Sequence, residues 1–276
     1  MSSRVLRLPA RGRLLVSTDL QGNLGDFRAL ERHFRAAPAG TVLVITGDLV
    51  HGPDEATLSD WPAALGTPYR DESFALVEAF LELEAEHPGC VHCLMGNHDH
   101  AHVGGPVTAK FHEDEAAALE ATLDAAQVAR LKETLRAFPL VAVAPCGVVL
   151  LHAAPSADLS GPEDLEQLAI EGYRELSFVD FLDVPVMGPL LWSRMATDAE
   201  AERFVRALGA EVAVFGHDIV REGWAKDGPR QLCLSTSFGL LDAHKTYLEL
   251  DLAGRYQSTD DFRVGTELKP LYPTST

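Results

Sequence analysis

Donor atoms suited to a metal ion recur in this chain wherever an apolar run ends. The densest set is Met95-Gly96-Asn97-His98-Asp99, which follows the apolar run Cys90-Val91-His92-Cys93-Leu94. The glycine lets the backbone turn sharply, and an amide, an imidazole and a carboxylate then stand together. Asp19 and Gln21 close the run at 13–19, Asp48 follows Gly47 after 41–46, His152 ends 148–151, and His217 follows Gly216 after 211–215. Alone, each is an ordinary turn or capping residue. Together they place oxygen and imidazole donors at one end of successive strands, where loops share a crevice. That donor set suits metal-assisted hydrolysis.

The elements that must position these residues follow from the apolar spacing. Residues 13–19 and 41–46 read as strands joined by a helix with Leu24, Phe27, Leu30 and Phe34 on one face, a right-handed βαβ unit. Residues 49–71 read as a loop and residues 72–86 as a helix. The His- and Gly-rich stretch 100–114 reads as a mobile, solvated loop beside the site, and 113–137 as helical. A hairpin is expected over 141–151, helices over 162–184 and 198–208, and late strands over 232–236 and 245–251. From about residue 264 the tail is expected to be loosely ordered. One domain over 1–276, with its core at about 13–251, is the simplest organisation.

Composition bounds the function. The chain has 276 residues, 46% hydrophobic and 23% charged, and carries a net charge of −18. This acidity disfavours a nucleic-acid duplex as partner. No apolar run reaches the roughly 18 residues of a membrane span. No secretory apolar segment is visible at the start, so a cytoplasmic location is expected. Cys90 and Cys93 form a CxxC spacing inside an apolar run, which reads as buried strand thiols rather than a zinc or redox motif. A serine nucleophile elbow of the GxSxG type is absent.

In order and spacing, these motifs resemble those of the calcineurin-like metallophosphoesterases: DxH, GDxxD, GNH[DE], an apolar strand ending in His, then GH. The corresponding segments here are Asp19-Leu20-Gln21, Gly47-Asp48-Leu49-Val50, Gly96-Asn97-His98-Asp99, Leu150-Leu151-His152 and Gly216-His217. The resemblance covers about residues 13–251. Finer features lean toward the phosphoprotein phosphatase branch, which includes symmetrical diadenosine tetraphosphate hydrolases: the loop Gly47-Asp48-Leu49-Val50-His51-Gly52-Pro53, the segment Leu191-Trp192-Ser193-Arg194, the motif from Gly216 to Trp224, and the loop 235–239.

The resemblance implies an α/β fold, a four-layer α-β-β-α sandwich of mixed sheets flanked by helices. It implies two divalent metal ions, Mn²⁺ first, with Fe or Zn²⁺ as alternatives, that activate hydroxide for in-line attack on a phosphate ester. Asp48 would bridge the ions, Asp19 and Gln21 would face the first, and Asn97, His152 and His217 would complete the second. His98 would be the general acid, with Asp99 or Asp54 to orient it, and Arg194 would grip the phosphate. Protein or small-molecule phosphomonoesters are the expected substrates. The alternatives are a nucleoside polyphosphate hydrolase or a metal-binding regulatory module.

Three departures bear on this reading. Gln21 stands where the family has His, and an amide oxygen is a weaker ligand than imidazole for transition metals. His51-Gly52 stands where the protein phosphatases have Asp-Arg. The last motif is Gly-His-Asp-Ile rather than GHxH.

Overall fold

The computed structural model describes residues 3–273. Among the described residues eleven strands run in chain order: β1 (Val5–Arg7), β2 (Arg13–Ser17), β3 (Val42–Ile45), β4 (Val91–Cys93), β5 (Val141–Ala144), β6 (Val148–Leu151), β7 (Val212–Phe215), β8 (Trp224–Lys226), β9 (Gln231–Leu234), β10 (Thr246–Asp251) and β11 (Leu268–Pro270). They form two mixed sheets, ordered β1-β5-β6-β7-β9-β8 and β11-β10-β2-β3-β4. In the second sheet β2, β3 and β4 are parallel neighbours, whereas β10 joins β2 antiparallel. In the first, β6, β7 and β9 are parallel neighbours.

Side chains alternate strictly between two apolar clusters, as the pleat requires. Leu14, Val16, Val42, Val44, Leu248 and Leu250 of one sheet meet Val148, Leu150, Val212, Val214, Leu232 and Leu234 of the other in an inter-sheet core. Their sequence neighbours Leu15, Leu43, Ile45, Val149, Leu151, Ala213 and Phe215 join helix residues such as Phe27, Leu30, Leu76, Phe80, Leu131 and Phe204 in the outer cluster. Burying Leu30 completely is worth about 2 kcal/mol. The result is mixed α/β, two mixed sheets with helices outside them, as expected. No helix among the described residues is long and apolar enough to cross a membrane.

Several elements differ from the sequence reading. Residues 113–137 form two helices, Glu115–Ala121 and Ala125–Arg136, because Asp124 caps the second one in a reciprocal box with Gln127. The 162–184 stretch holds only two short helices, Pro162–Glu166 and Phe178–Leu182. The 49–71 loop carries the short helix Glu55–Ser59. Strands β1, β8 and β11 span three residues each, too short for a readable alternation.

The tail is also more ordered than expected. β11 pairs antiparallel with β10, and Leu271 is buried. Behind β11 lies a polar knot. Asp26 accepts hydrogen bonds from the Tyr272 hydroxyl at 2.7 Å, from Lys245 Nζ and from the Ser237 hydroxyl. Both members of the Lys245–Asp26 ion pair are buried, at 2.8 Å. Only the last three residues of the tail lie outside the described residues. Removing one partner strands a buried charge, so Asp26→Ala is expected to cost about 3–5 kcal/mol in urea unfolding. An unchanged midpoint would show that the knot does not hold the tail to the core.

Candidate active site

Strands β2, β3, β4, β6 and β7 deliver their C-terminal loops to one crevice. The backbone there is held in unusual conformations. Asp19, Gln21, Asp48, His51 and His217 all have positive φ, between 40° and 74°, although none is glycine. Such residues each cost about 1–3 kcal/mol and persist only where the surroundings fix them. Asp99 supplies part of that fixing. Its Oδ2 accepts from the amides of Asp48 (2.8 Å) and Gly96 (3.0 Å), and its Oδ1 from that of Leu49 (3.0 Å). The loops pass so closely that a Cβ at Gly96 would overlap the Asp48 amide and carboxylate. Asp99 is therefore a backbone clamp and not the expected partner of His98: both its oxygens are spent on amides. Asp54 does not orient His98 either, because it caps the helix Glu55–Ser59.

Asp48, Asn97, His152 and His217 converge. His152 donates Nδ1–H to the Thr46 carbonyl at 2.9 Å, which bares its Nε2. That nitrogen faces Asn97 Oδ1 at 2.9 Å, His217 Nδ1 at 3.1 Å and Asp48 Oδ1 at 3.5 Å. Lone pairs thus confront one another with at most a single ring proton among them. His217 Nε2 is buried without a partner. Burial also pushes the Asp48 carboxyl well above the usual carboxylate range. Two imidazoles, a carboxylate and an amide oxygen are a fitting donor set for a divalent transition metal, whose charge would offset both effects.

His98 lies beside this cluster, with Nε2 4.0 Å from Asp48 Oδ2. Its other nitrogen belongs to a chain that sequence reasoning missed. His98 Nδ1 is 3.0 Å from His51 Nδ1, His51 Nε2 is 2.9 Å from His102 Nε2, and His102 Nδ1 is 2.8 Å from Glu120 Oε1. Glu115 Oε2 lies 3.2 Å from His98 Nδ1. His51, His98 and Glu115 form a second group able to hold a metal ion. Burial holds His51 and His98 well below the ordinary histidine range. The hydrogen bond from His102 takes the Glu120 carboxyl down to about 2. With each ring singly protonated and His102 donating to Glu120, the proton of His98 sits on Nδ1. One further proton on His102 reverses the chain: each ring donates to the next, and His98 carries its proton on Nε2. His51 fills the place of the family's Asp, the one signal that could have found it. His102 lies in the stretch read as a solvated loop, yet His100, His102 and Thr108 are all buried.

The donors expected for the first metal behave differently. Asp19 accepts from the His217 amide with both oxygens, at 3.1 and 3.0 Å. Gln21, expected as a ligand, is a hydrogen-bonding bridge instead: its Oε1 accepts from Lys110 Nζ at 3.0 Å and its Nε2 donates to Asp48 Oδ2 at 3.3 Å. Asp19, Gln21, Lys110, Arg194, His217 and Phe238 help line a cleft of about 90 Å³. At the cleft, Arg194 Nη1 donates to Asp218 Oδ1 at 2.7 Å and to the His217 carbonyl.

A two-sheet α/β sandwich with a metal-type donor cluster and a buried histidine at its strand ends defines a class, the metal-dependent phosphoesterases. The profile of the calcineurin-like phosphoesterases matches residues 12–221, and the chain belongs to that family of phosphate-ester hydrolases, which use a dinuclear metal site. No curated protein sequence matches. A protein serine/threonine phosphatase from Saccharomyces cerevisiae with similarity to human phosphatase PP5 shares the fold at 12% identity, with a TM-score of 0.65 over 91% of this chain and 77% of that one. A cold-active protein-tyrosine phosphatase from a psychrophilic Shewanella does so at 14% identity, with a TM-score of 0.56 over 92% and 78%.

A ligand that binds only the folded state stabilises it by about 2.7 kcal/mol at a hundredfold excess over Kd. Mn²⁺ is therefore expected to raise the thermal midpoint of chelator-treated protein, and His152→Ala to abolish the rise. An equal rise in that variant would place the ion elsewhere.

Proposed function

We propose that the chain is a metal-dependent phosphomonoesterase acting on phosphorylated proteins or small molecules. The observation that carries this reading is the convergence of Asp48, Asn97, His152 and His217 beside the Nε2 of His98. Those four side chains would hold a divalent ion, Mn²⁺ by preference and Fe or Zn²⁺ as alternatives. When bound, the ion supplies a Lewis acid and a means of lowering the pKa of water.

The chain's own residues do the rest. His98 delivers a proton from Nε2 to the leaving oxygen, which an alkoxide leaving group needs near neutral pH. His51 fixes the ring through Nδ1, and the path through His102 to Glu120 allows that proton to be replaced. Arg194 reaches the phosphoryl group from the cleft wall once a substrate competes with Asp218 for its guanidinium. The free cysteines fit a reducing compartment such as the cytoplasm.

Two readouts test the assignment. His98→Ala is expected to retain its metal and to hydrolyse an alkyl phosphate about 10²-fold more slowly or worse, the scale of a lost general acid. Unchanged turnover would remove His98 from the reaction. Faster turnover of diadenosine tetraphosphate than of any monoester would replace the substrate class.

A further inference from the structure

We propose that the ammonium group of Lys110 stands in for the first metal ion, so that this chain holds one catalytic ion beside a built-in cation. The inference rests on the phosphoesterase reading and concerns the half of the site whose donors do not fit a metal. It starts from Gln21. The amide takes Lys110 Nζ on its oxygen at 3.0 Å and offers its nitrogen to Asp48 Oδ2 at 3.3 Å. The opposite amide orientation would set N–H groups against the ammonium and oxygen against the carboxylate. Only the observed one satisfies both neighbours. The oxygen of Gln21 is therefore committed to a cation already, and that cation belongs to the protein.

The bridging carboxylate is divided in the same way. Asp48 Oδ1 faces His152 and accepts from the His98 amide at 3.0 Å, while Oδ2 faces Gln21. One oxygen is left for an ion at the His152–His217 cluster, and the other is turned toward the Gln21–Lys110 bridge. Asp19, the remaining first-position donor, has both oxygens on the His217 amide.

Lys110 is held as a placed charge. Its Nζ lies 4.0 Å from the centroid of the Phe238 ring, within cation–π range. It helps line the cleft that Arg194 and His217 also line. Gln21 takes one of its three N–H groups, which leaves two for phosphoryl oxygens. An ammonium neutralises phosphoryl charge without ligating water. Lys110 thus supplies the electrostatic half of what a second ion would bring, and water activation falls to the single ion.

The test is the spin state and stoichiometry of Mn²⁺ on the full-length chain. The wild type is expected to show an isolated, uncoupled Mn²⁺ signal. The double variant Gln21→His with Lys110→Ala, which restores the DxH donor and removes the cation, is expected to gain a second ion and the exchange-coupled signal of a pair about 3.5–4 Å apart. Lys110→Met is expected to keep the single ion and to lose about 10²-fold in kcat/KM for an aryl phosphate, the scale of one lost charge-stabilising donor. A coupled pair in the wild type, with hydrolysis intact, would overturn the Lys110 assignment and leave the phosphoesterase standing. Absence of any bound Mn²⁺ together with absence of hydrolysis would overturn both. The wild-type spectrum decides the matter even if the double variant fails to fold.

Discussion

The site depends first on the carboxylate of Asp99. It is fully buried and spends both oxygens on backbone amides of two separate loops, those after β3 and β4. Asp48 and Asn97 leave those loops, and to share the proposed ion each would have to point into the crevice within a few tenths of an ångström. The backbone at Asp48 is in the left-handed region, so without a clamp it would relax. Charge-assisted bonds to amides are about twice as strong as neutral ones, which is how one side chain can hold the strained loop after β3 in register with the loop after β4. The two glycines, Gly47 and Gly96, allow the approach, because a Cβ on either would strike the other loop.

The second constraint is electrostatic. Burial on this scale drives the carboxyls of Asp19 and Asp48 toward their neutral forms and the ring of His98 toward its own. A site left that way would do little chemistry. For the carboxyls, positive charge offsets it, from Lys110 near Asp48 and, on the proposed reading, from a divalent ion at the His152–His217 cluster; for His98 the charges of Lys110 and Arg194 add to the effect of burial. The histidine chain adds a separate device. It links a ring that faces the crevice to Glu120, whose side chain is about a quarter exposed (23%), so a proton can reach His98 without opening the site.

How much of this was legible in the sequence follows from the range of each interaction. The strand ends were readable because the continuous apolar runs of β2, β3, β6 and β7 stop near a Gly, Asp or His, and the donors sit close to that stop. Asp99 was singled out by its place beside His98, but two of the three amides it holds lie some 50 residues away. Nothing local announces that choice. The pairings of His51 with His98 and His102 span 47 and 51 residues, and that of Lys110 with Gln21 spans 89. These arise only once the helix Glu115–Ala121 and the segment before it fold down onto the crevice. At His100, His102 and Thr108 the polar appearance, which suggests solvent, reflects a buried hydrogen-bonded network instead, whereas Lys110, His112 and Glu113 are exposed. The break at residues 121–125 was present in the Asp124…Gln127 capping pattern and was masked by the Ala/Leu richness on both sides.

In the proposed site, four side chains from four strand ends share one metal ion. Anomalous diffraction from crystals soaked in Mn²⁺ tests it most directly. A strong peak is expected at about 2.0–2.2 Å from His152 Nε2, His217 Nδ1, Asn97 Oδ1 and an oxygen of Asp48, the ordinary range of such bonds. A map with no peak there, or with its only peak between His51, His98 and Glu115, would contradict it.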